Sequence, residues 1–368
     1  MNRRDLLMAS LAAAAAAPLS ASGQAGDPAG SRPGPRNLIT DVAGLRVGQA
    51  EDPAARTGTT VILPDVAAVV ATDVRGGGPA TRETDATEPW NLVHAFDAIV
   101  LSGGSVYGLG AADGVVAWLG ARGRGFALSR APGVPPSPVV PAAALYDLAN
   151  GGAKGWGAEP PYRRLGMAAI EAAGEQFRLG TAGAGYGAMA GALKGGIGSA
   201  SMVTADGFTV GALVAVNSAG SVVAPGSRTF WAAPFEIGDE FGGLGSAGLR
   251  AGPDDWGRPK PALHARENTT LAVVATDAAL TTDEAKRVAM MAQDGMARAI
   301  RPSHSPFDGD IVFAMATAKK PVSEPRAVLT ARLGSLAADT LARAIARAVF
   351  EATAWPGSGV ATWRSLQP

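Results

Sequence analysis

The sequence contains no cysteine, and among its 368 residues there are only three histidines, His94, His264 and His304. The absence of cysteine excludes disulfides, thiol nucleophiles, iron–sulfur clusters and thiolate zinc sites. A three-histidine metal site would need every histidine in the chain. The sequence therefore predicts neither a metal site nor a cofactor, and any catalysis must use other side chains.

An excess of charge of one sign is also absent. Lysine and arginine together number 32, aspartate and glutamate together number 32, and the formal net charge is zero. This balance gives no support to binding of nucleic acid or of an anionic membrane. After the N-terminal segment there is no run of about 18 apolar residues, so the mature protein is expected to have no membrane span. What is abundant is glycine, with 49 residues, in a chain that is 47% hydrophobic. This composition is typical of a globular protein with tight turns and a sizeable core.

The first 25 residues have the pattern of an export signal. Arg3 and Arg4 precede an apolar stretch that ends before Pro18, and small residues follow over 20–25. A charged start, a short apolar centre and a small-residue end are typical of secretory signals, and the arginine pair indicates the twin-arginine route. We therefore expect a periplasmic protein with a disordered, Pro/Gly-rich lead-in at residues 26–36. A disordered or anchoring N-terminus is the alternative.

From residue 37 onward, β-type runs alternate with helical patterns. Strands are predicted at 59–63, 67–74, 96–101, 271–276 and 310–317, and a hairpin is predicted from 207–216 and 220–223. Helices are predicted at 105–119, 165–177, 281–300 and 341–349. This alternation without a long repeat predicts a layered α/β fold, with a single domain over 37–368.

Several conspicuous residues are interpreted as structural. Ser105 is expected to cap a helix, and Arg343 and Arg347 are expected on the exposed face of the last helix. The run 75–85 is expected to combine glycine turns with a buried arginine–carboxylate network. His304 lies near the acidic residues that follow it, so an acid–base role is conceivable, but a turn after a proline is favoured.

The glycine spacing over 183–188 resembles a dinucleotide-binding fingerprint. The preceding apolar run at 177–179 is too short for a buried strand, and the βαβ unit that would give the glycines their purpose is missing. No Walker A pattern surrounds Lys194, and no Gly-x-Ser-x-Gly elbow occurs. The glycines therefore predict close packing of a small-residue helix.

The stretch 225–268 is Gly/Pro-rich, has little periodicity and is far longer than a normal connection, which predicts that it is functional or cut. It ends at Asn268 and Thr269, where a strand begins. A hydroxyl residue there is what an N-terminal nucleophile enzyme needs, because it can attack the preceding carbonyl and split the chain. The new α-amine, with a reference pKa of about 7.7–8.0, can then act as the base. On the pattern alone, an ordinary strand start remains the alternative.

Ordered sequence blocks carry a resemblance to one family. These blocks are 39–48, 74–85, 101–105, 194–198, 216–217, 273–278 and 301–310. Through them the chain from residue 37 to its end resembles the family of the L-aminopeptidase/D-esterase DmpA, which includes β-peptidyl aminopeptidases and nylon-oligomer hydrolases. The resemblance implies a four-layer αββα sandwich, also found in ornithine acetyltransferases. It further implies self-cleavage into two chains that stay together in one domain, and a homo-oligomer of four or more subunits.

The resemblance also implies a set of site residues. The nucleophile falls on Thr269, with the cut after Asn268, giving a large chain 26–268 and a small chain 269–368. The other implied site residues are Lys194 beside the active site, the oxyanion-stabilising Asn217, the downstream pair Asp308 and Asp310, and Tyr146 near the pocket. The Asn–Thr cut, the two aspartates and Tyr146 are more similar to the nylon-oligomer hydrolase branch than to the aminopeptidase branch.

Physical roles can be assigned to this set. Asp308 and Asp310 are two apart, so in an extended segment they point the same way and can hold the ammonium and hydroxyl of Thr269. Lys194 can balance that charge and help to move the hydroxyl proton. An Asn217 N–H on the oxyanion would contribute on the order of 3–4 kcal/mol.

The sequence therefore predicts an exported, self-processing amide hydrolase that works through an acyl-enzyme. Its substrates are expected to be small peptides, amino-acid amides or ω-amino-acid oligomers, and an aminopeptidase is not separated from an oligomer hydrolase. The alternatives are an acyltransferase of the ornithine acetyltransferase type and a non-catalytic periplasmic binding protein.

Overall fold

The computed structural model describes residues 30–129, 131–260, 268–323 and 325–367. Residues Ser31–Pro368 form one compact unit. The predicted export signal at 1–25 lies outside the described residues. The predicted lead-in is described from residue 30, and Arg32 there exchanges two backbone hydrogen bonds with Val203. No helix in the described ranges is long and apolar enough to cross a membrane.

Strands and helices alternate as the sequence pattern predicts. The strands are β1 (Leu45–Asp52), β2 (Thr57–Pro64), β3 (Ala68–Val74), β4 (Thr81–Arg82), β5 (Ala95–Phe96), β6 (Ile99–Ser102), β7 (Ala142–Ala144), β8 (Met189–Ala190), β9 (Leu193–Lys194), β10 (Gly196–Val203), β11 (Thr209–Asn217), β12 (Thr269–Ala278) and β13 (Ile311–Lys320). The α-helices are α1 (Ala111–Gly120), α2 (Tyr162–Glu171), α3 (Thr282–Ala299) and α4 (Arg326–Phe350).

Two sheets organise the fold. The larger has six strands in the order β10-β11-β12-β13-β3-β5, and the smaller has five in the order β1-β2-β6-β7-β4. Neighbouring strands are antiparallel except for the parallel pairs β12–β13 and β6–β7. In the six-stranded sheet, β11 and β12 are buried along their whole length. Such strands need cover on both faces, which explains their continuous apolar runs.

Three apolar clusters lie between four layers. One joins α3 and α4 to the six-stranded sheet, the second lies between the two sheets, and the third joins α1 and α2 to the five-stranded sheet. The order is therefore helices, sheet, sheet, helices. This confirms the predicted α/β fold with an αββα sandwich.

Glycine allows the helices to approach the sheets closely. A Cβ on Gly198 of β10 would overlap the carbonyl oxygen of Ala344 in α4, and one on Gly48 of β1 would overlap that of Ala169 in α2. In both places only a residue without a side chain lets the helix backbone reach the strand. Part of the high glycine content thus serves packing between layers.

The predicted exposure of Arg343 and Arg347 is wrong. Arg343 is only 1% exposed, and its guanidinium donates to both carboxylate oxygens of Glu240, at 2.6 and 2.9 Å. Arg347 is mostly buried and donates to backbone carbonyls, including that of Asn37 at 2.6 Å. Both helix positions face the sheet side of α4, and the carboxylate that neutralises them comes from a distant segment.

Other local predictions also differ from the structure. Ser105 is the first residue of a short 3-10 helix, and the N-cap position is taken by Gly104. The predicted hairpin of 207–216 and 220–223 does not form, because β10 and β12 occupy both sides of β11. The arginine–carboxylate network expected at 75–85 is not buried, since Arg82 pairs with Asp113 at 2.5 Å on the surface.

Candidate active site

Thr269 is the first residue of β12 and is 2% exposed. Its hydroxyl donates to the carbonyl oxygen of the preceding residue, Asn268. The same oxygen accepts a hydrogen bond from the backbone N–H of Gly309 at 2.8 Å. The peptide unit before Thr269 is therefore held by the nucleophile candidate itself and by a backbone donor from another segment.

Gly309 lies against the Thr269 hydroxyl. A Cβ at position 309 would lie 2.6 Å from Thr269 Oγ1 and 3.0 Å from the carbonyl oxygen of Gly78. A residue with a side chain would have to displace one of these neighbours, so glycine between the two aspartates is a steric requirement of the site.

A run of glycines holds the 308–310 segment from the other side. Gly78 N–H donates to the Asp308 carbonyl at 2.8 Å, and Gly76 N–H donates to the Asp310 carbonyl at 3.2 Å. Asn268 also forms a parallel backbone bridge with Asp308. The segment is thus fixed between the glycine run and the start of β12.

Asp308 is buried and accepts hydrogen bonds from several donors. Its Oδ1 accepts from the Ala219 N–H at 3.1 Å, and its Oδ2 accepts from the Ser305 N–H at 3.2 Å and from the Ser305 hydroxyl. Burial, together with the nearby Asp310 carboxylate, raises the pKa of Asp308. Asp308 therefore loses its proton at a higher pH than an exposed aspartate does.

Asp310 is buried and connects the start of β12 to His304. Its Oδ1 accepts from the Thr270 N–H at 2.8 Å, and its Oδ2 accepts from the His304 N–H at 3.0 Å. In the described part of the chain, Asp308 bonds to Ala219 and Ser305, Asp310 bonds to Thr270 and His304, and neither carboxylate bonds to the Thr269 hydroxyl. Asp310 thus fixes the backbone N–H of the residue that follows Thr269.

Asn217 ends β11 and faces Thr269 in the strand register. Its Oδ1 accepts from the Met189 N–H at 2.9 Å, and its Nδ2 donates to the carbonyl oxygen of Tyr146 at 3.0 Å. Lys260, near the end of the long segment, also donates to Asn217 Oδ1 at 3.3 Å. Asn217 and Tyr146 are therefore brought together at the active-site end of the two sheets, with Tyr146 half-buried.

Lys194 is fully buried at the end of β9. Its Nζ donates to three backbone carbonyls, those of Gly185 at 3.2 Å, Ala188 at 2.9 Å and Gly195 at 2.7 Å. Burial lowers the pKa of Lys194 to about 7, although Asp147 acts in the opposite direction. A lysine with this pKa can gain or lose a proton near neutral pH, but its hydrogen bonds are to carbonyls and not to Thr269.

Four residues of this site were missed or not assigned roles from the sequence. Asp147 accepts from the Thr57 hydroxyl at 2.7 Å and from the Gly104 N–H at 2.8 Å, and burial raises its pKa to about 6. Ser305 donates to the predicted site residue Asp308, and Lys260 donates to the predicted site residue Asn217. The sequence carried a signal only for the fourth residue, His304, whose proximity to the acidic pair was noted. Ser305 lies three residues before Asp308, whereas Lys260 and Asp147 come from distant segments.

The arrangement suits attack of a hydroxyl on a carbonyl. The Thr269 oxygen touches the Asn268 carbonyl group, and a fixed N–H already points at the oxygen on which negative charge would develop. Within the described part of the chain, no group of three or more histidine, aspartate or glutamate side chains could hold a metal ion.

Known proteins resemble the chain in sequence over most of its length. The family model described as peptidase family S58 matches residues 37–362. An uncharacterized aminopeptidase of Mycobacterium tuberculosis is 43% identical over 356 residues, which cover 90% of this chain and 98% of that protein. A 6-aminohexanoate-oligomer endohydrolase of Kocuria sp. is 29% identical over 299 residues, which cover 77% of this chain and 76% of that protein.

A solved structure has the same fold. The L-aminopeptidase D-Ala-esterase/amidase of Ochrobactrum anthropi, described as a variant of the Ntn hydrolase fold, superposes with a TM-score of 0.63. The match covers 90% of each chain at 22% sequence identity. At this identity the likeness concerns the fold alone.

Proposed function

The chain belongs to peptidase family S58 and is a hydrolase of peptide or amide bonds, and on this premise we propose that it cuts itself between Asn268 and Thr269. The new N-terminal Thr269 is then the nucleophile of amide hydrolysis, and the products of the cut are a large chain 26–268 and a small chain 269–368. The observation that carries the proposal is the joint contact of the Thr269 hydroxyl and the Gly309 N–H with the Asn268 carbonyl oxygen.

In the self-cleavage step, Thr269 Oγ1 attacks the carbonyl carbon of Asn268 and loses its proton. The bond from this carbon to the Thr269 nitrogen breaks, the nitrogen gains a proton, and an ester links Asn268 to Oγ1. Water then hydrolyses the ester, which leaves a carboxylate on Asn268 and a free amine and hydroxyl on Thr269. The Gly309 N–H stabilises the developing oxyanion, as a backbone donor does in other acyl-transfer sites.

In substrate turnover, the α-amine of Thr269 takes the proton of its own hydroxyl. Oγ1 attacks the substrate carbonyl, the amine product leaves with a proton, and water hydrolyses the acyl-enzyme. We assign Asn217 as a side-chain donor to the oxyanion, and its place opposite Thr269 in the strand register supports this role. The pKa of Lys194, lowered to about 7, supports a role in balancing charge and supplying protons near the site.

The proposed substrates are small peptides, amino-acid amides and ω-amino-acid oligomers. An aminopeptidase and an oligomer endohydrolase are both among the relatives, which supports this range of linear amides. We further propose that the protein is exported to the periplasm by the twin-arginine route and acts as a homo-oligomer.

The test is Thr269→Ala against Thr269→Ser. Wild-type protein is expected to give two masses, with the smaller chain beginning Thr-Thr-Leu. Thr269→Ala is expected to give one mass and to lose at least about 100-fold in activity, the scale for loss of an essential catalytic group. Thr269→Ser keeps a hydroxyl and should still be cut. Activity is measured on amino-acid p-nitroanilides and 6-aminohexanoate oligomers. An uncut, fully active wild-type chain, or full activity in Thr269→Ala, contradicts the proposal.

A further inference from the structure

His304 donates two hydrogen bonds to one carboxylate oxygen. Its backbone N–H lies 3.0 Å from Asp310 Oδ2, and its Nδ1 lies 2.9 Å from the same atom. The side chain of Asp310 is almost fully buried, whereas that of His304 is 20% exposed. The imidazole therefore caps the carboxylate from the solvent side, in the tautomer or charge state that carries a proton on Nδ1.

The backbone of His304 is in a conformation that side-chain-bearing residues rarely adopt. Its φ is +56°, in the left-handed region. This conformation turns the N–H and the imidazole of one residue toward the same oxygen. A strained conformation that persists at such a contact is the kind of feature found at functional sites.

The other oxygen of Asp310 contacts the residue next to the proposed nucleophile. Asp310 Oδ1 accepts from the N–H of Thr270, the residue bonded to Thr269. A rotation of the carboxylate would break this hydrogen bond and release the first peptide of β12. The two His304 donors oppose that rotation, because they fix the opposite oxygen.

We propose that His304 is a positioning residue, which holds Asp310 against the Thr270 N–H and so aligns Thr269 for self-cleavage and for hydrolysis. This inference rests on the proposed function of Thr269. The imidazole acts through Asp310 and takes no part in bond making or breaking.

The experiment compares His304→Gly with His304→Asn. Both residues tolerate the left-handed backbone and keep the backbone N–H, but only asparagine offers a donor, its Nδ2, at the place of Nδ1. His304→Gly is expected to slow both self-cleavage and kcat by on the order of 10- to 100-fold, the range for loss of a hydrogen bond to a charged group. His304→Asn is expected to stay within about threefold of wild type, because its Nδ2 keeps the second hydrogen bond to Asp310. Self-cleavage is followed by intact mass, and kcat and KM are measured on the cut protein.

A double variant and a replacement variant complete the test. In an Asp310→Asn background, His304→Gly should lower self-cleavage and kcat much less than it does in wild type, because the two residues act through one contact. If denaturant unfolding shows that His304→Gly is not folded, His304→Gln is used instead. The amide donor of glutamine lies one bond further from the backbone than histidine Nδ1. The inference is wrong if the variants that lack the donor match wild type in self-cleavage and in kcat. It is also wrong if His304→Asn does not restore these rates. Either result leaves the test of Thr269 intact, whereas loss of the Thr269 dependence would remove the proposed function itself.

Discussion

At the scale of single residues, the charged side chains of the candidate site contact residues other than the Thr269 hydroxyl. The sequence predicted that the two aspartates can hold the ammonium and hydroxyl of Thr269. In the structure they bond to Ala219, Ser305, Thr270 and His304, of which Thr270 follows Thr269 in the chain. Lys194 likewise bonds to backbone carbonyls and is buried beside the ring of Trp355, 4.9 Å from the ring centroid. Asp310 fixes the backbone next to Thr269, and the Thr269 hydroxyl itself bonds to the carbonyl before it.

Lys194 gives a prediction for the pH dependence of stability. Its pKa is lowered from 10.5 to about 7 in the folded state, so between these values the unfolded chain binds more protons than the folded one. The contribution of Lys194 to the free energy of unfolding should therefore increase as pH rises from about 7 toward 10. This contribution should be lost again as pH falls to 7. The slope from one group is at most about 1.4 kcal/mol per pH unit.

The measurement is urea unfolding at several pH values for wild type and Lys194→Met. The variant should show a flatter rise over this window, because its side chain does not titrate. Exposed Lys319→Met serves as the control for removal of one positive charge. An unchanged pH slope in Lys194→Met would show that the lysine keeps its proton in the folded protein.

At the scale of secondary-structure elements, close helix–sheet contact determines where glycine is needed. The sequence located α3 well, because its capping box and apolar spacing act within one helix. It placed only the second half of α4, which spans Arg326–Phe350, and it missed β10 as a strand. The small residues of β10 give it no clear strand pattern, and in the fold α4 packs closely against them.

Gly198→Ala tests this contact. The added Cβ would overlap the Ala344 carbonyl oxygen, so α4 must shift, and a loss of about 1–3 kcal/mol in unfolding free energy is expected, the usual cost of overpacking. The control is Gly110→Ala, where a Cβ would meet nothing within 4 Å. Its expected effect is within about 1 kcal/mol, and of either sign. Denaturant unfolding measures both, and equal stabilities would contradict the packing argument.

At the scale of the whole molecule, the proposed cut separates neighbouring strands of one sheet onto two chains. β11 pairs with β12 and β3 pairs with β13 across the division, so the sheet itself holds the pieces together. The buried pair of Arg343 and Glu240 adds a link between α4 and the long segment before the cut. The match to peptidase family S58 over 37–362 confirms that the resemblance carried by the sequence blocks extends over both pieces.

Glu240→Gln tests the link. Removing one partner leaves Arg343 buried without its counter-charge, a change that costs about 3–5 kcal/mol at buried pairs. The expected result is a large loss of stability in urea, with the two chains of cut protein separating at lower urea than in wild type. The control is Asp65→Asn in the exposed pair with Arg46, where less than about 1 kcal/mol is expected. Similar losses in both variants would contradict a specific role for the buried pair.

The sequence by itself determined the alternation of elements, the layered α/β class, the family resemblance and the position of Thr269 at the head of a strand. These depend on short-range periodicity and on ordered blocks, which survive without knowledge of the fold. Only the tertiary structure decided that Arg343 is buried, that Gly309 N–H meets the Asn268 carbonyl and that His304 caps Asp310. Each of these contacts depends on backbone geometry or on segments far apart in the chain, and no local pattern encodes it. The scarcity of histidine and the absence of cysteine pointed away from nucleophile pairs that use these residues, and the fold places the Thr269 hydroxyl and the Gly309 N–H on one carbonyl oxygen.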